Sequence, residues 1–179
     1  MKIKYFIQVS FIIIMFFVSL IADDKMEQIK VTSSSFEHNG MIPSKYTCDG
    51  ENISPDLKWE SYPKNTKSFV VISDDPDAPM GTWVHWVVYN IPTNVNHLKE
   101  GFPKKEVFEN ITQGMTDFRK IGYGGPCPPS GIHRYFFKVY ALDIELNEKP
   151  GLTKNEILRK IESHIIGYGE LIGKYKRMK

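Results

Sequence analysis

The chain is short of net charge, of cysteine and of internal repetition, and each shortage excludes something. Its 23 Lys and Arg stand against 21 Asp and Glu. Two of the bases, Lys2 and Lys4, lie at the very start, so from Asp23 onward 21 basic groups meet 21 acidic ones. A balanced chain has no field to draw in nucleic acid or an anionic membrane surface, and no nucleic-acid partner is expected. No repeat or low-complexity tract follows the first 22 residues, so 23–179 reads as one domain of ordinary size. What the chain does have is apolar: 41% hydrophobic and 13% aromatic residues exclude a disordered polymer.

Residues 1–22 place two lysines before a greasy stretch that stops abruptly at Asp23 and Asp24. That order matches a secretory signal peptide, with Ala22 as its last residue. An uncleaved N-terminal anchor is the alternative, since residues 5–22 approach the length of a membrane span. Export to the periplasm or outside the cell is expected on either reading. No cysteine lies near the boundary, which argues against a lipid-modified N-terminus. The only two cysteines are Cys48 and Cys127. In an oxidising compartment an even pair forms one disulfide; the other reading is two buried free thiols.

Short runs of β-branched and aromatic residues alternate with Gly, Pro, Asn and Asp clusters. Strands are expected over 29–36, 68–73, 82–91 and 133–142, with a weaker one over 56–59. Residues 92–131 are too long for a structureless loop, so part of that stretch, 107–112 for instance, should pair. Thr153 and Glu156 have capping-box spacing, and Ile157, Leu158, Ile161, Ile165 and Tyr168 follow at helical intervals. Gly167, Gly169 and Gly173 weaken continuation, which predicts one helix to about residue 166 and a second piece to Tyr175. Lys174, Lys176, Arg177 and Lys179 would then complement a helix C-terminus. Strands first and helix last predict a mainly β domain: antiparallel sheets packed as a sandwich with peripheral C-terminal helices.

The period of a strand places Trp83, His85, Val87 and Tyr89 on one face, and His133, Tyr135, Phe137 and Val139 on another. If the strand starts meet, two imidazoles and two aromatics share one hollow. Between them in sequence, Asp75-Pro76-Asp77-Ala78-Pro79 is a bend stiffened by two prolines. Asp75 is expected to orient an imidazole and Asp77 to support the turn, whereas Asp74 reads as a local cap. The run 122–131, with four glycines and three prolines, leads straight into His133 and could expose amides to an anion.

These segments, DPDAP (75–79), WVHWVVYNIP (83–92) and GYGGPCPPSGIHRYFFKVYAL (122–142), resemble the phosphatidylethanolamine-binding protein family. CDGENISP (48–55) with Trp59 is similar to its bacterial and archaeal, Raf-kinase-inhibitor-like branch. The resemblance implies a small anion pocket built from Asp75, Asp77, Trp83, His85, Gly125, Pro126, His133 and Tyr135. It further implies phosphate-bearing ligands such as phosphoethanolamine, protein partners of protease or kinase type, and a homodimer as in other members of that branch. The stretch between DPDAP and Trp83 is only Met80-Gly81-Thr82. An aromatic pocket residue of the animal relatives has no counterpart there, so kinase inhibition does not follow.

The expected function is therefore an exported, non-enzymatic binding protein for a small phosphate- or carboxylate-bearing ligand, without cofactor or metal. Asp75 would favour a protonated imidazole that donates to the anion, helped by amides near Gly125 and the Tyr135 hydroxyl. Three rivals exist. One is an interaction or inhibitor module with no physiological small ligand. Another is a metal site of His85, His133, Asp75 and Asp77, which lacks short His-x-x-x-His spacing. The last is a hydrolase using Cys127 and His133, which a bridge to Cys48 would silence.

Overall fold

The structure, a computed structural model, describes residues 26–177. The leader and Lys179 lie outside the described residues. Two open sheets dominate. The larger contains β1 (Glu27–Gln28), β4 (Ser68–Asp75), β5 (Trp83–Pro92), β7 (Val107–Phe108), β8 (Ile111–Gln113), β9 (His133–Leu142) and β10 (Ile165–Tyr175). Its order is β1-β10-β9-β4-β5-β8-β7. The smaller consists of β2 (Lys30–Thr32), β3 (Leu57–Glu60) and β6 (His97–Leu98), in the order β2-β3-β6. Pairing is antiparallel except for β1, which runs parallel to β10.

β4 carries the reason for this layering. All eight of its residues are buried, and its apolar side chains feed two cores. Phe69 and Val71 meet Trp59, Leu57 and Leu98 of the small sheet. Val70 and Ile72 meet Ile157 and Ile161 of α1 (Lys154–Ile161) on the opposite face. A strand covered on both faces reads as a continuous apolar run rather than an alternating one, as Phe-Val-Val-Ile does. The expected sandwich is thus present, with one short C-terminal helix behind the larger sheet.

The capping box at Thr153 and Glu156 starts α1 as its spacing predicts. The expected helical continuation is not there. After a 3₁₀ turn at Glu162–His164, the chain becomes the eleven-residue strand β10, the neighbour of β9. Its glycines explain the switch: they lie at alternate positions with Leu171 and Tyr175, all buried on one face. A Cβ at Gly169 would stand 2.0 Å from the Ile29 carbonyl oxygen, and one at Gly173 2.5 Å from Ile42. These glycines let the segments at Ile29 and Ile42 pack closely onto β10, so they belong to a strand and do not mark the interruption of a helix. Lys174 consequently lies within a strand, Lys176 and Arg177 follow it, and no helix dipole acts on them. Within the long 92–131 segment, β7 and β8 form a hairpin whose turn residues Glu109 and Asn110 take φ of 49° and 65°.

Cys48 and Cys127 are bridged, joining residues 79 positions apart. The bond ties the glycine-rich segment that precedes β9 to the turn around Asp49, whose carboxylate also holds Arg177. Replacing both cysteines by serine should lower the unfolding free energy by about 2–5 kcal/mol, read from denaturant titration. Unreduced protein should take up no thiol-alkylating reagent when analysed by mass spectrometry.

Candidate functional site

The antiparallel ladder brings the two histidine-bearing strand starts to either side of the end of β4. Asp75 pairs with Trp83 across one ladder, and Asp74 pairs with Phe136 across the other. A simple two-residue period would put Val87 and Tyr89 on the face of His85. They are on the other face, in the core beneath α1, while Trp86 and Val88 join the core between the sheets. The cause is a β-bulge: Ser73 opposes Trp86 and Asp74 opposes Val84, leaving His85 as the extra residue. The bulge re-aims His85 without disturbing Trp83, and the imidazole meets Tyr135 of β9 edge-on, with ring centroids 5.2 Å apart.

A cavity of about 490 Å³ opens here, lined by Asp75, Trp83, His85 and His133 together with Ala78, Pro79, Met80, Phe118, Cys127, Pro128 and Pro129. Of the residues singled out from sequence, these first four reach the cavity. Tyr135 lies beside it, 1% exposed, with a hydroxyl that has no hydrogen-bond partner among the described residues. Burial, and next the charge of Asp75, push that hydroxyl's pKa well above the usual phenol range.

The other three do not line it. Asp77 turns outward and accepts from Arg134, at 2.9 Å from Nε and 2.7 Å from Nη2. Those hydrogen bonds hold its carboxyl down at about 2. Gly125 was expected to offer its amide to an anion, but the amide donates to Asn52 Oδ1 at 2.7 Å. Pro126 is buried, and its carbonyl accepts from the Cys48 amide. Both serve the wall from behind, because the disulfide draws this loop onto the turn before Asn52.

Sequence reasoning also missed Phe118. Its ring stands edge-on to Trp83 and His85, at centroid distances of 5.5 and 5.2 Å. It supplies an aromatic wall from the loop after β8, where the short Met80-Gly81-Thr82 stretch has none. Gly124 makes room for it, since a Cβ there would lie 2.5 Å from the phenyl ring.

The polar groups are pinned from outside the cavity. Asp75 Oδ2 receives His133 Nδ1 at 2.7 Å, and Oδ1 receives the Asp77 amide at 2.8 Å. His85 Nδ1 donates to the Gly124 carbonyl at 2.6 Å. Each ring has spent Nδ1, so Nε2 is the nitrogen left for a ligand. Burial lowers the pKa of His85, opposed by the Gly124 carbonyl and by Asp75. A neutral His85 therefore presents an acceptor at Nε2, and a donor only after gaining a proton. Cys127 is bridged and supplies no thiolate, which removes the Cys127–His133 hydrolase reading. No group of three His, Cys, Asp or Glu is arranged to hold a metal among the described residues.

A model of the phosphatidylethanolamine-binding protein family matches residues 32–176. The chain belongs to that family. It is 51% identical over 152 residues to a UPF0098 protein of Aquifex aeolicus, covering 83% of this chain and 89% of that one. To the UPF0098 protein PH1269 of Pyrococcus horikoshii it is 52% identical over 160 residues, 87% and 79% of the two chains. Among solved structures, a phosphatidylethanolamine-binding protein homolog of Chlamydia trachomatis superposes with a TM-score of 0.78 at 40% identity, covering 85% of this chain and 99% of that one. YbcL of E. coli, described as a new member of the mammalian family, also gives 0.78, at 32% identity over 84% and 99%.

The depressed pKa of His85 makes stability depend on pH. Above about pH 6.5 the ring is neutral in both folded and unfolded chains and contributes nothing to the dependence. As pH falls below that value the unfolded chain binds the proton first, so stability is lost by up to about 1.4 kcal/mol per pH unit until the folded pKa is reached. Thermal melting between pH 7.5 and 5 should show this fall, and His85→Gln should flatten it.

Proposed function

We propose that this member of the phosphatidylethanolamine-binding protein family is an exported, non-enzymatic binding protein whose cavity receives a phosphate- or carboxylate-type head group. The phosphoethanolamine moiety in the family's name is the natural first candidate. The observation that carries the reading is the convergence of His85 and His133 on one cavity, each with Nδ1 engaged and Nε2 left over.

The chemistry follows from proton placement. A phosphate dianion and a neutral His85 offer two acceptors to each other, and one proton from solvent converts the contact into a charge-assisted hydrogen bond. Whether that proton is drawn with the imidazole or with the phosphate oxygen, one is taken up. Trp83, Phe118 and the prolines exclude water and strengthen the contact. One or two such bonds to a small ligand support dissociation constants between about 1 μM and 1 mM. A protein partner at the mouth, such as a protease or a kinase-like protein, would cover Met80, which is 95% exposed on the cavity lip.

Calorimetric titration with O-phosphoethanolamine at pH 7.5, in buffers of different ionisation enthalpy, should report binding with net proton uptake. His85→Gln should weaken the affinity at least tenfold, a loss on the order of one charge-assisted bond. Binding by the variant equal to wild type would reject the reading. His133→Ala is the poorer test, since it strands the buried Asp75 carboxylate and should lower the melting temperature as well.

A further inference from the structure

Beside the cavity lies a second, more polar cleft of about 210 Å³. The two share Phe118 and Cys127, so one phenyl ring and the disulfide form the partition between them. The cleft is lined by Lys104 and Lys120 from separate loops, with Asn52, Thr116 and the backbone of Gly122–Gly125 among its further polar surface. Gly122 is needed where the loops cross, because a Cβ there would stand 2.8 Å from Lys104.

The charges on the two sides of the partition are unlike. Beside the cavity, the His133 imidazole is paired with Asp75 and the Arg134 guanidinium with Asp77. In the cleft, Lys104 Nζ donates to the Asn52 carbonyl at 2.9 Å, and neither lysine meets a carboxylate within 4.0 Å among the described residues. The pKa of Lys104 is lowered by partial burial and next by the charge of Lys120. Two like charges that destabilise one another, with no counter-ion, are relieved by an anion placed between them.

We infer that the cleft is a second anion subsite, and that the ligand carries two anionic groups, one at His85 and His133 and the other at Lys104 and Lys120, joined by a short apolar link across Phe118. This rests on the anion-cavity reading and narrows its ligand class from a bare head group to a bis-anion. The apolar partition sets the link: a polar spacer would lose its own hydration against Phe118 without regaining hydrogen bonds.

The test uses ω-phosphonocarboxylates of increasing length, from 3-phosphonopropionate to 6-phosphonohexanoate, with ethylphosphonate as the single-anion reference. Calorimetry should show wild-type affinity rising with chain length to about tenfold over the reference, the worth of one added charge-assisted contact. That advantage should shrink in 0.5 M salt. In Lys104→Gln/Lys120→Gln the ratio of long-chain to reference affinity should fall to near one, with the melting curve confirming the fold. A wild-type ratio near one, or a ratio unchanged in the double variant, overturns the inference while leaving single-anion binding intact. Failure of ethylphosphonate and O-phosphoethanolamine alike to bind wild type rejects the cavity reading, and this inference with it.

Discussion

The site depends on one inserted residue, the irregularity of the β4–β5 ladder that falls at His85 rather than the one further along near Asn90. β4 is locked between two strands and two cores, so its alternation is fixed and Asp75 must emerge on the side facing the small sheet. β9 alternates without interruption and delivers His133 and Tyr135 to that side. β5 must bury Val84 and Val87 against the helix side and Trp86 and Val88 against the other. It does so only by bulging at His85, and the bulge turns a ladder residue into a cavity residue.

Around that geometry, the acidic corner works as a brace. Asp75 binds its own turn through the Asp77 amide and the neighbouring strand through His133. Asp77 reaches the same strand again through the amide and guanidinium of Arg134. The first strand residues of β9 are thus held by the carboxylates on either side of Pro76 in a proline-stiffened bend, and the imidazole has little freedom to swing. The opposite wall is held covalently by Cys48 and Cys127. A cavity with both walls fixed before a ligand arrives loses less conformational entropy when one does.

Much of this was legible in the chain. The aromatic and β-branched runs marked β4, β5 and β9, and the strand period brought His133 and Tyr135 together without help from any fold. Asp75 was identifiable from the prolines that stiffen its bend. The same period failed for Val87 and Tyr89 because a bulge leaves no mark in composition; it is fixed by pairing with β4, a long-range fact. The spacing of Ile165 and Tyr168 extends that of a real helix and predicts helix where β10 lies, whereas the glycines answer to Ile29 and Ile42, distant in sequence. Phe118 was invisible for a related reason: nothing local distinguishes an aromatic in a loop that closes a cavity from one that does not. Gly125 shows the converse. A glycine amide free in the sequence was already claimed by Asn52 in space.

The parallel strand β1 fixes where the chain enters this arrangement. Glu27 pairs with Gly167, whereas the cavity adjoins His133, whose partner on the same strand is Tyr175. The stretch of β10 from Gly167 to Tyr175 spans roughly 27 Å when extended. The described chain therefore enters at one pole of the domain, and the cavity opens at the other.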